Sequence, residues 1–96
     1  MEIKKTKFFS EWFEELSDNV QNKIWKYISR VAQGVFSTSK PVGEGVHEIR
    51  IDFQKGYRVY YTTKGNEIII LLAGSHKDEQ QKIIKIAKEI KALLGG

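Results

Sequence analysis

The stretch VHEIRIDFQKGYRVYYTT, residues 46–63, decides the fold. From Val46 the polarity alternates with a period of two: Ile49, Ile51 and Phe53 point one way while Glu48, Arg50 and Asp52 point the other. That is the pattern of a half-buried strand. Gln54-Lys55-Gly56 fits a three-residue hairpin loop with glycine at the left-handed position, so Tyr57 to Thr63 follows as the antiparallel partner. With Phe53 opposite Tyr57, the expected register sets Ile51 against Val59, Arg50 against Tyr60 and Asp52 against Arg58. One face of the hairpin is then apolar. The other collects Glu48, Arg50, Arg58, Tyr60 and Thr62.

Further along the chain, Lys64-Gly65-Asn66 reads as a second turn, and the aliphatic run from Glu67 to Ala73 predicts a strand covered on both faces. Ser75 with Asp78 three residues later resembles a capping box, and Ile83, Ile86, Ala87, Ile90 and Leu94 form a helical stripe ending near Gly95. Before the hairpin, residues 2 to 5 fit a short edge strand. Phe9, Trp12, Phe13 and Leu16 recur at helical spacing. Ser17-Asp18, with Gln21, signals the start of a second helix whose stripe of Val20, Ile24, Tyr27, Ile28 and Val31 stops at Gly34. Residues 35–45 hold the only proline and read as a connector. The prediction is one α+β domain over residues 1–96, ordered β-α-α-β-β-β-α, with a small, mostly antiparallel sheet packed by an N-terminal helical hairpin and a C-terminal helix.

Composition narrows the chemistry. The chain has no cysteine, which removes disulfides, thiol nucleophiles and thiolate metal sites. Its two histidines stand 29 positions apart without HExxH spacing, so no metal set is expected. Neither GxxxxGK[ST] nor GxSxG occurs, and no cofactor is implied. No apolar run approaches the roughly 20 residues of a membrane helix, and no apolar stretch of signal-peptide type follows the first lysines, so a cytoplasmic location is expected. The formal charge is +4. Residues 1–45 hold seven Lys and Arg against six Asp and Glu, and residues 46–96 nine against six, so most of the excess lies in the half that carries the hairpin.

The hairpin's polar face is the candidate site. Cross-strand registry brings Arg50 and Arg58 close enough to address one phosphate or its neighbour, and a guanidinium offers a planar fork of donors at any working pH. The ordinary alternative is a pair of surface salt bridges, Arg58 with Asp52 and Arg50 with Glu48. On an open strand face, Arg58 would contribute little to stability. His76 and Lys77, at the start of the last helix, supply a second possible anion contact, against the alternative of a solvated turn. His47 falls on the apolar face and reads as packed. Tyr57 and Tyr61 read as core, leaving Tyr60 alone beside the arginines. Trp12 and Trp25 read as packing residues of the helical stripes.

The segments PVGEGVHEIRID (41–52), GYRVYY (56–61), LLAG (71–74) and KDEQ (77–80), with Phe9 and Trp12 in the first helix, resemble the phage-derived addiction-module killer proteins of the RelE/ParE toxin superfamily, near the HigB-like branch. The resemblance spans the chain. It implies a RelE-like fold and the toxin of a type II toxin–antitoxin system: a metal-independent, ribosome-dependent endoribonuclease cutting mRNA, blocked by a cognate antitoxin of the helix-turn-helix DNA-binding kind. By motif position it assigns catalysis and RNA contact to Arg58, Arg50 and Lys77; the residues themselves add Glu48 or Tyr60 as candidate general base and His76, beside Lys77 at the helix start, as a further RNA contact. Glu48 stands where RelE has lysine but where glutamate is usual in the killer-protein branch, and His76 where that branch more often has Gly or Asp. The superfamily also contains gyrase poisons that share the fold, and a non-catalytic module that docks an antitoxin is a third reading.

Overall fold

A computed structural model describes residues 1–95; Gly96, the last residue of the expected domain, lies outside them. The alternating segments fold as expected into strands, here β1 (Glu2–Lys5), β3 (Val46–Ile51), β4 (Tyr57–Lys64) and β5 (Ile68–His76). The helical stripes become α1 (Lys7–Glu14), α2 (Asp18–Ala32) and α3 (Gln80–Leu93). One strand is additional. Residues expected as connector contain β2 (Ser39–Gly43), paired antiparallel to β3 at the sheet's edge. Its sequence, SKPVG, carries no β signal, and Pro41 suits only an edge, where its missing N–H interrupts no ladder.

The five strands lie in the order β1-β5-β4-β3-β2, with β1 parallel to β5 and the other pairs antiparallel. β5 is therefore interior, as its aliphatic run predicts. On one side α1 and α2 cover Ile49, Ile51, Tyr57, Val59, Tyr61, Ile69 and Leu71 with Phe9, Val20, Ile24, Ile28 and Val31. On the other, α3 lays Ala87 and Ile90 over Val46, Tyr60, Leu72 and Ala73. Two cores thus sandwich a single sheet.

The β3–β4 register differs from expectation by one step of two residues: Ile51 faces Tyr57, Ile49 faces Val59, and Arg50 faces Arg58. The connection is a five-residue loop, Asp52 to Gly56, with Phe53 half-buried against the first core and Gly56 at φ +90°. A shift of two leaves every side chain on its expected face. The face Tyr60 occupies is not open, however, because α3 covers it.

Helix starts follow local chemistry. Thr6 caps α1, its hydroxyl accepting from the Phe9 amide while donating to the Leu72 carbonyl, which ties the helix to β5. Ser17 caps α2 through the Val20 amide, and Gln21 donates to the Phe13 carbonyl to close the hairpin. The capping box expected at Ser75 and Asp78 does not form. β5 runs on through His76, a 3-10 turn follows at Lys77–Glu79, and the Ser75 hydroxyl bonds Tyr60 instead. Gly74 has a steric reason: a Cβ there would enter the Trp12 ring.

Candidate functional site

Because β3 and β4 pair Arg50 directly with Arg58, both guanidinium groups emerge at one end of the α3 face. Their surroundings differ. Arg58 is 9% exposed, donates from Nη1 to the Tyr57 carbonyl at 3.0 Å, and holds Nε 3.8 Å from Glu48 Oε1, too far for a hydrogen bond. Arg50 reaches solvent, with Nε 3.4 Å from Asp52 Oδ2. The ion pairs are thus exchanged relative to the sequence expectation, Arg58 with Glu48 and Arg50 with Asp52. The reading of Arg58 as an open surface arginine is corrected too.

Glu48 is the hub. It is 1% exposed, its Oε1 lies 3.8 Å from the Lys40 ammonium as well as from Arg58, and its Oε2 accepts from the Gln80 side-chain amide at 2.7 Å. A buried carboxylate needs such compensation. Lys40 comes from β2 and Gln80 from the first turn of α3, so three elements converge on one carboxylate. Together with Ser37, Thr38 and Ser39 these residues and both arginines line a polar cleft of about 220 Å³. The Arg58 Nε–H is the one buried donor there without a hydrogen-bond acceptor, among the described residues. The anion that faces it is the Glu48 carboxylate, 3.8 Å away.

Tyr60 is fully buried beneath α3 with its hydroxyl 3.1 Å from Ser75 Oγ. Burial pushes its pKa up to about 12; the Ser75 hydrogen bond opposes this, Glu48 adds to it and Arg58 opposes it. A phenol so placed surrenders its proton reluctantly, which makes it a poor base and a good spacer between β4 and β5.

Lys77 lies at the same end of the sheet but does not line the cleft. It is exposed in the 3-10 turn, its stem packing over Gly56 and its amide donating to the Gly56 carbonyl. His76 is on the other side of the sheet, its ring 5.3 Å from that of Tyr57 in a depression shared with Trp12, Leu16 and Val20. The structure therefore brings Glu48, Arg50 and Arg58 together, places Tyr60 behind them, sets Lys77 beside them and separates His76. Reasoning from sequence missed Lys40 and Gln80. Lys40 lay in an unrecognised strand, and Gln80 carries no signal until α3 docks. His47 stacks on Tyr61 with ring centres 5.2 Å apart, a packed histidine as expected.

Residues 11–92 match the family described as phage-derived protein Gp49-like. An uncharacterized protein of Haemophilus influenzae is 38% identical, over 99% of this chain and 97% of that protein. Among solved structures, the isolated E. coli RelE toxin superposes with a TM-score of 0.67 at 13% identity, covering 88% of this chain and 97% of that one. The intact E. coli RelBE toxin–antitoxin complex gives 0.66 at 12% identity, covering 78% and 94%. The RelBE2 toxin–antitoxin complex from Mycobacterium tuberculosis gives 0.64 at 12%, covering 79% and 96%. By sequence over most of its length the chain belongs to the phage-derived Gp49-like family, and its fold is that of the RelE toxins.

Proposed function

We propose that this chain is the toxin of a type II toxin–antitoxin pair, a metal-independent endoribonuclease that cuts mRNA on the ribosome in the cytoplasm and is neutralised by a cognate antitoxin, a helix-turn-helix protein. The observation that carries the reading is the cross-strand pairing of two guanidinium groups, the buried Arg58 and the solvent-reaching Arg50, on the wall of one polar cleft. In RNA cleavage the 2′-hydroxyl attacks the adjacent phosphate, and the extra negative charge of the transition state falls on its non-bridging oxygens. Arg58 supplies a fixed positive charge for it, Arg50 a solvent-reaching one, and Lys77 a further cation at the same end of the sheet.

Among the described residues Glu48 is the only carboxylate lining the cleft, and its oxygens are already shared among Arg58, Lys40 and Gln80. With Tyr60 buried and its pKa pushed up to about 12, neither of the two candidate bases is free to take a proton readily. This supports dependence on ribosomal groups to complete the site. No described helix is long and apolar enough to cross a membrane.

Induction of the protein alone should arrest growth, with co-expression of the neighbouring antitoxin restoring it. Primer extension on induced cells should show translated messages cut within the reading frame. Intact messages together with inhibited DNA supercoiling would transfer the protein to the gyrase-poison class, and normal growth with folded protein present would end the toxin reading.

A further inference from the structure

The segment Phe36 to Pro41 separates two depressions. On the α3 side lies the arginine cleft, and on the α1–α2 side lies a pocket of about 330 Å³ walled by Phe36, Pro41, His47 and Tyr61. Ser39 and Lys40 line both. They are consecutive residues of the edge strand β2, where neighbouring side chains point to opposite faces. The two depressions are thus neighbours across one edge strand.

The pocket's chemistry suits a nucleobase. Its floor is the stacked His47–Tyr61 pair, with ring planes 19° apart and Tyr61 only 2% exposed, braced by the hydrogen bond between the Tyr61 and Ser39 hydroxyls; the open ring face is that of Phe36. Phe36 stands at its mouth 50% exposed, an aromatic ring in a loop that the two cores leave unpacked. Polar groups for a base edge come from Ser39, Thr63 and Asn66, and among the described residues no acidic one lines the pocket to repel a phosphate. Lys40 stands on the shared wall. Unstacked bases of single-stranded RNA bind on such aromatic faces, in a manner closed to duplex.

We propose that this pocket is a base-binding subsite for the RNA nucleotide adjoining the scissile phosphate, with Phe36 as its stacking platform. The assignment rests on the RNA-cleavage reading above and adds to it a residue pair, Phe36 and Lys40, that reads the substrate rather than reacts with it.

The test is single-turnover cleavage on ribosomes programmed with a mapped message and with the same message made abasic, one position at a time, on either side of the cut. In the parent, one abasic position should slow cleavage about 10-fold, the scale expected for losing one stacked base. Phe36→Ala should slow the intact message by a similar factor and lose the abasic effect, while Phe36→Trp restores both and Phe36→Leu neither. Melting temperatures should stay near the parent's, because Phe36 belongs to neither core. Additive losses in Phe36→Ala, or parental rates, would overturn the subsite while cleavage itself continues to support the ribonuclease. Weakened antitoxin binding with unchanged cleavage would make the face a protein dock and overturn it equally. A parent that cuts nothing on ribosomes removes both readings.

Discussion

Replacing Arg58 with alanine should damage this protein twice, in stability and in cleavage, and the two losses can be separated. Arg58 and Glu48 are 9% and 1% exposed, so truncating the arginine strands a buried carboxylate. Removing one partner of a buried pair costs about 3–5 kcal/mol. Here the loss should be smaller, because the pair is 3.8 Å apart without a hydrogen bond and Glu48 keeps Lys40 at 3.8 Å and Gln80 at 2.7 Å. About 2 kcal/mol is the reasoned value, which for a domain of this size lowers Tm by roughly 10 °C. Adding Glu48→Gln to Arg58→Ala removes the stranded charge and should recover about half of that, a non-additivity expected of residues that share one network. Thermal unfolding of the parent, both single variants and the double variant closes the cycle. Cleavage is then compared at a temperature where all four are folded. There Arg58→Ala should fall about 100-fold and Arg58→Lys should rescue only in part, for want of the planar fork. A Tm for Arg58→Ala within 2 °C of the parent would refute the buried-hub account, and full activity in the folded variant would remove Arg58 from catalysis.

Arg50→Ala should leave melting within about 0.5 kcal/mol of the parent, its partner being an exposed Asp52, yet lower single-turnover cleavage about 10-fold. Tyr60→Phe removes the bond to Ser75 and should cost about 1 kcal/mol in denaturant unfolding. The same variant tests the raised pKa. Between the ordinary value of 10.0 and about 12 the unfolded chain loses the Tyr60 proton before the folded one does, so parental stability falls as pH rises through that window and Tyr60→Phe should fall less steeply. Gly74→Ala drives a methyl into the Trp12 ring and should cost about 2–3 kcal/mol, measured by urea unfolding; an unchanged midpoint would show that the ring moves freely.

The periodicities of 2 and 3.6 carried most of the fold. They placed β3, β4 and β5, three helices, the turn glycine at position 56 and the sorting of hairpin residues into an apolar and a polar face, because each is written in neighbouring side chains. They also put Arg50, Arg58, Glu48 and Tyr60 on one face, where the structure has them. Register, cover and convergence are not local. A register that slips by two residues keeps every face and changes every partner, so only the closed five-residue loop decided that Arg58 meets Arg50 in the ladder and Glu48 in charge. β2 formed from a sequence with little strand propensity because β3 offered it an open edge, and with it came Lys40. The docking of α3 buried Tyr60 and delivered Gln80, while the extension of β5 through His76 turned that histidine to the opposite side of the sheet. The sequence alone determined which side chains share a surface. What each surface is pressed against was decided by elements distant in the chain, through contacts that no local pattern encodes.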